Sequence, residues 1–187
     1  MKRIIVFCLL VTYAFVSRAQ SKFPPVDRSP MDMSYCPTDY PILRIQNKAT
    51  EPLVARIIYG RPQKNDRVIF GDLVPYGSVW RLGANEATEI EFFKDVKIDG
   101  KKVSKGRYTL YAMPDTDKWT LILNTEVNIW GAFNYDSKKD VTRIDVPVQK
   151  QTDLTEVFTM LFEKTSSNSS NLIIAWDNVM VKLPFKW

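Results

Sequence analysis

The chain has 187 residues, 25 % of them charged and 45 % hydrophobic, with a formal net charge of +5, two cysteines and no histidine. The lack of histidine excludes Ser-His-Asp and Cys-His nucleophile systems and removes the commonest zinc ligand. Neither a G-x-S-x-G elbow, a Walker loop nor a dinucleotide fingerprint is present, and no nucleotide or other cofactor is expected.

Residues 1–19, MKRIIVFCLLVTYAFVSRA, read as a secretory signal peptide: a basic start at Lys2 and Arg3, an apolar run from Ile4 to Val16, and Ser17 and Ala19 at cleavage spacing. The run falls well short of the roughly 20 residues that span a bilayer. Cys8 lies inside the run rather than at its exit, which argues against a lipid-modified terminal cysteine. The expected product is exported, periplasmic or extracellular, and free of membrane association after cleavage. Lys2, Arg3 and Arg18 leave with the peptide, so Lys+Arg falls from 26 to 23 against 21 Asp+Glu and the net charge from +5 to +2. No nucleic-acid partner is indicated. Cys36 alone remains, which rules out an intramolecular disulfide and a thiolate metal site. No EF-hand spacing appears either, and no metal is expected.

Residues 20–38, with Pro24, Pro25, Pro30 and Pro37, read as an extended lead-in. Residues 39–187 read as one β domain. TEIEFF alternates apolar and acidic positions, and VKIDGKKV carries Asp99-Gly100 for a tight hairpin. RYTLYAM, WTLIL, VTRIDVPV, VFTMLF, NLIIAW and VMVKLPF follow, each pair separated by turn residues. The fold class is all-β, an antiparallel sandwich-like single domain. No stretch of ten or more residues carries a helical stripe; 72–80 and 129–134 leave room for a short helix. TLIL, VFTMLF and LIIAW are apolar on both faces, so they read as central strands covered by loops, with 69–90 as the long covering loop.

The motifs YGRP, GDLVPYG, VWR, GANEAT and WGAFNYDSKKD resemble the family of exported bacterial proteins known as domain of unknown function 2911, common in Bacteroidetes. The resemblance spans about Ser29 to the carboxyl terminus and implies an all-β exported domain without an established activity.

The candidate binding residues are Arg61, Arg67, Tyr76, Trp80, Arg81, Asn85, Glu86, Trp130 and Tyr135. Arginine offers a rigid fork for a carboxylate, phosphate or sulfate, and an adjacent Trp or Tyr offers a flat apolar face that suits a sugar ring. The reading is a non-enzymatic module for a glycan or small anion. Against it stands a structural role, with Arg61 or Arg81 tied to Glu86 or Asp72 and Trp80 plugging the core. The alternative enzyme is a glycan hydrolase with Glu86 as one carboxylate and Asp72, Asp136 or Asp140 as the other. A third reading takes the alternating terminus VMVKLPFKW as the last strand of a small outer-membrane barrel; a purely structural or interaction protein remains open too. The sequence leaves the oligomeric state open.

Export is checked by amino-terminal sequencing of the fractionated protein, which should begin at Gln20. Recovery of the full-length chain from the inner membrane would contradict it.

Overall fold

The computed structural model describes residues 23–187; the expected signal peptide lies outside the described residues. Ten strands are built, in order β1 (Met31–Cys36), β2 (Ala55–Gly60), β3 (Glu89–Phe92), β4 (Val96–Ile98), β5 (Lys101–Val103), β6 (Gly106–Pro114), β7 (Lys118–Asn124), β8 (Asp140–Pro147), β9 (Gln149–Ser166) and β10 (Ser169–Lys186). One short helix, α1 (Tyr40–Ile45), follows β1. The strands form a six-stranded sheet in the order β1-β2-β3-β6-β7-β8 and a four-stranded sheet in the order β5-β4-β10-β9. Their facing sides bury one large apolar cluster, so the interior is filled with side chains such as Ile57, Leu121, Phe158 and Leu183, unlike the polar lumen of an outer-membrane barrel.

The sequence reading of an all-β sandwich holds, and its hairpin at Asp99-Gly100 links β4 to β5 with φ of 47° and 75° at the two turn residues. That left-handed pair suits the twist of a two-residue hairpin, and glycine takes it at no steric cost. Three local readings change. Met31–Cys36, within the expected lead-in, pairs along its whole length with β2 and forms a sheet edge. A helix of six residues with no buried side chain leaves no periodic stripe, which is why α1 is silent in the sequence, whereas 72–80 and 129–134 form turns and bends. NLIIAW and VMVKLPF belong to one strand, β10, rather than two. Asp177 sits at φ 55° between two shifts of register against β9. This bulge moves the buried positions from Leu172, Ile174 and Trp176 to Val179, Val181, Leu183 and Phe185, so the same face stays inward. Asp and Asn are at home in either a turn or a bulge; the one-residue slip in apolar phase marks the bulge.

Both-face burial is found where β7 runs. Trp119, Leu121 and Leu123 enter the main core, while Ile122 and Tyr111 of β6 form a second cluster on the other face with Ala87. Val79, Ile129, Ala132 and Tyr135 cover that cluster, so the roof comes from two loops, 61–88 and 125–136. β9 is instead an edge strand, and Leu161 on its other face is 42 % exposed. The expectation of loop cover fails there for VFTMLF, because apolar residues on an outer face need not be buried; LIIAW lies in β10, a central strand, with Ile173 and Ala175 half-buried on its outer face.

The 61–88 loop also closes the gap between the sheets. Trp80 exchanges backbone hydrogen bonds with Ala112 of β6, its N–H donating at 2.7 Å and its carbonyl accepting at 3.0 Å. Its indole, 8 % exposed, stacks on Trp176 of β10 at 6.0 Å between centroids and meets Trp119, Phe158 and Phe70 edge-on. The indole N–H donates to the Gly83 carbonyl at 3.2 Å, so the plug buries no unmet donor. Backbone closeness fixes the loop further: a Cβ at Gly60 would lie 2.3 Å from the Ala84 carbonyl oxygen, which only glycine avoids.

Trp80→Ala should therefore cost about 3–5 kcal/mol in a denaturant melt, as for other buried aromatic truncations. A loss under about 1 kcal/mol, ordinary for a surface change, would remove Trp80 from the core.

Candidate functional site

The segment after the plug, Arg81 to Thr88, turns sharply: Leu82 has φ 56°, Gly83 150° and Asn85 62°. Thr88 holds both ends together, its N–H donating to the Arg81 carbonyl at 3.0 Å and its hydroxyl to the Leu82 carbonyl at 2.5 Å. Leu82 is thereby buried in the core while Arg81 and Asn85 stay at the margin. From Asn85 to Ala87 the chain pairs with the 129–131 loop, through Gly131 N–H to the Asn85 carbonyl and Ala87 N–H to the Ile129 carbonyl. Glu86 and Trp130 become directly opposed residues of a short antiparallel bridge, which puts their side chains on one face.

The nine candidate residues separate into distinct roles. Arg61 is a structural tie: its Nε donates to the Phe158 carbonyl at 3.1 Å, and its two terminal nitrogens reach Asp32 at 2.8 Å and the Thr159 hydroxyl at 2.9 Å. It joins the edge of one sheet to the edge of the other. Tyr135 roofs the second cluster, edge-on to Tyr111 at 5.3 Å, and donates its hydroxyl hydrogen to Asp140 at 2.6 Å while accepting one from Arg143. Burial, and then the hydrogen bond to Asp140, push its phenol up to about 12. Tyr76 is exposed and leans over Gly71. Trp80 belongs to the core, although its edge also forms part of the cleft floor.

Arg67, Arg81 and Asn85 come together. They line a cleft of about 320 Å³ with Ser29, Trp80 and Trp176, and no Asp or Glu contributes to its wall. Arg67 is half-committed, donating to the carbonyls of Lys64 at 2.9 Å and Gln63. Arg81 is not committed. Its Nε is fully buried without an acceptor, and among the described residues its guanidinium forms no salt bridge. Burial pushes it below the usual arginine range with no carboxylate to offset the loss of water. Arg56, whose Nε is also buried and unmet, differs because another of its nitrogens holds Glu91 at 2.6 Å.

Glu86 and Trp130 open on a separate cleft of about 450 Å³, shared with Met31, Glu89, Asn128 and Ile129. The Trp130 indole is 61 % exposed, and the Glu86 carboxylate is exposed and unpaired among the described residues. Glu89 is engaged by Arg107 at 3.3 Å and by the Asn128 N–H at 2.6 Å. Asp72 sits at an exposed turn and lines neither cleft. Asp136 caps a single 3-10 turn by accepting from Lys138 N–H at 3.0 Å, and Asp140 is taken up by Asn124, Tyr135 and Arg143. Among the described residues no group of three or more Cys, Asp or Glu is close enough to hold a metal ion.

Leu73, Val74 and Phe133 carry no chemical signal in the sequence, yet they border the Arg81 side chain: Leu73 and Val74 line the cationic cleft, and both continue with Phe133 into a neighbouring groove. Only the course of two loops brings them there.

A family model described as "Protein of unknown function (DUF2911)" matches residues 44–185. Comparison with curated proteins and with solved structures gives no match.

The contrast between two arginines is measurable without a ligand. Arg61→Met should lower stability by about 1–2 kcal/mol in urea melts, because it strands Asp32 and two acceptors at a partly wet site. Arg81→Met should be neutral or stabilising, since it replaces an unmet buried donor by an apolar chain. An equal loss for both would make Arg81 a structural tie.

Proposed function

The chain belongs to the DUF2911 family of proteins of unknown function, a membership that assigns no activity, and from the side chains themselves we propose that it is an exported, non-enzymatic binding module for a small anionic ligand. The observation that carries this reading is Arg81: a cation at the wall of a cleft, its Nε buried and without an acceptor, in a lining that holds a second arginine and no carboxylate. A buried charge is normally paired, and leaving it unpaired is costly. An anion in the cleft pairs with the half-buried Arg81 charge at its wall, which has no carboxylate partner, and Asn85 and Ser29 add neutral hydrogen-bonding groups to the lining. The expected signal peptide supports a site of action in the periplasm or outside the cell.

A second reading, a glycan on the Trp130 face, is supported by the exposed indole beside the unpaired Glu86 carboxylate. Hydrolysis finds less support. Two-carboxylate chemistry needs a free acid and a free base facing one scissile bond, whereas Glu86 and Asp72 lie apart with respect to the clefts and Asp136 and Asp140 already serve as cap and anchor.

Thermal melts of the wild type and Arg81→Lys with sulfate, phosphate, short carboxylates and neutral oligosaccharides separate these readings. Ligand a hundredfold above its Kd stabilises by about 2.7 kcal/mol, or about 5–10 °C for a domain of this size. Anions should raise the wild-type Tm and do so much less for Arg81→Lys, since a point charge cannot reproduce the guanidinium fork. The variant also removes the general salting effect of sulfate from the comparison. Shifts from oligosaccharides alone would favour the Trp130 face, and equal anion shifts in both proteins would remove Arg81 from the site.

A further inference from the structure

Arg81 faces two cavities rather than one. On one side lies the cationic cleft described above; on the other is a groove of about 230 Å³ lined by Leu73, Val74, Pro75, Val79, Ala132 and Phe133, with Ser78 as the polar exception besides Arg81 itself. Leu73, Val74, Trp80 and Arg81 line both, so the two are continuous along one wall. Phe133 is 83 % exposed on the opposite loop, its ring over Gly131, and Leu73 is also exposed. Resting on the anion reading, we propose that the ligand is a small amphipathic carboxylate whose head meets Arg81 and whose apolar body lies along the Leu73–Phe133 groove.

The charge and polarity of the two linings choose this occupant. A hydrated inorganic anion would fill the cationic cleft and leave the groove wet, with Leu73 and Phe133 in water. A neutral apolar molecule would fill the groove and leave the Arg81 charge without a counter-ion. A carboxylate on an apolar chain satisfies both at once: the head accepts from the guanidinium, and each methylene laid against the groove leaves water. The wall of each cavity carries no Asp or Glu, so nothing repels the head. The combined size suits a small ligand, since drug-sized pockets begin at about 300 Å³. Phe133 sits on the turn that follows the Glu86–Trp130 bridge, with the loop held by that bridge on one side and by Tyr135 on the other, so its exposed ring stands at the end of the groove.

The test is isothermal titration of the full mature protein with acetate, sulfate, octanoate and octanol, on the wild type, Phe133→Ser, Leu73→Ser and Arg81→Gln. Phe133 and Leu73 are exposed, so their substitution leaves the core intact. Octanoate should bind at least about tenfold tighter than acetate, which is about 1.4 kcal/mol and corresponds to burying about two methylenes. Phe133→Ser and Leu73→Ser should each weaken octanoate by about three- to tenfold, Phe133→Ser should leave acetate unchanged because Phe133 does not line the cationic cleft, and Arg81→Gln should weaken both acids. Sulfate or acetate binding as tightly as octanoate would overturn the amphiphile while leaving the anion reading intact. Octanol binding as tightly as octanoate would overturn it by making the head irrelevant. Absence of binding for every anion would overturn the anion reading and this inference with it.

Discussion

The two hydrogen bonds between Trp80 and Ala112 are the constraint on which the site depends. They pair Trp80 with β6 in an isolated bridge on the side of Glu89, the first residue of β3, and fix which way the loop alternates. Val79 joins the cluster on the outer face, Trp80 enters the aromatic core between the sheets, and Arg81 is the next residue along. The indole is anchored by a stack on Trp176 and edge contacts with Trp119 and Phe158, so the backbone of its neighbour cannot drift. Thr88 closes the turn behind it. An arginine placed in this way has little freedom to seek a carboxylate elsewhere, and the fold holds its Nε without an acceptor.

The same constraint explains why the cationic residues of the loop differ in role. Arg61 lies at the end of β2, where β1 and β9 approach, and each of its nitrogens finds an acceptor within the protein. Arg67 is folded back on the carbonyls of its own turn. Arg81 alone among the three lies between a polar cleft and an apolar groove with its Nε unmet. In a domain whose net stability is small beside the terms that compose it, such an arrangement is a local cost, which a bound anion would offset under the proposed function.

Much of the fold was legible from alternation. TEIEFF and VTRIDVPV read directly as half-buried strands, and Asp99-Gly100 as a hairpin, because period-two patterning and left-handed turn residues act over a few positions. The edge strand β1 was hidden by the prolines around it, and β10 was divided in two because Asp177-Asn178 has turn chemistry at a bulge. The nine candidate residues stand out by side-chain type, and type alone does not separate Arg61 from Arg81. The difference between them is whether an acceptor lies within reach, a property of the tertiary packing of β1, β9 and the 82–85 turn. Nor could the sequence reveal the apolar groove, since Leu73 and Phe133 are ordinary residues some sixty positions apart. Trp130 and Glu86 share the residue types of that site, yet pairing of their two loops directs them to a different cleft.

An anion bound at Arg81 would change the electrostatic surroundings of its guanidinium, and the Nε–Hε correlation of that residue in heteronuclear NMR reports on it directly. Assigned through its loss in Arg81→Lys, the resonance should be protected from exchange with water in the free protein, show no coupling to a protein acceptor, and move on titration with octanoate. A resonance already coupled to a protein carbonyl, or one that stays fixed while octanoate binds elsewhere, would contradict the account.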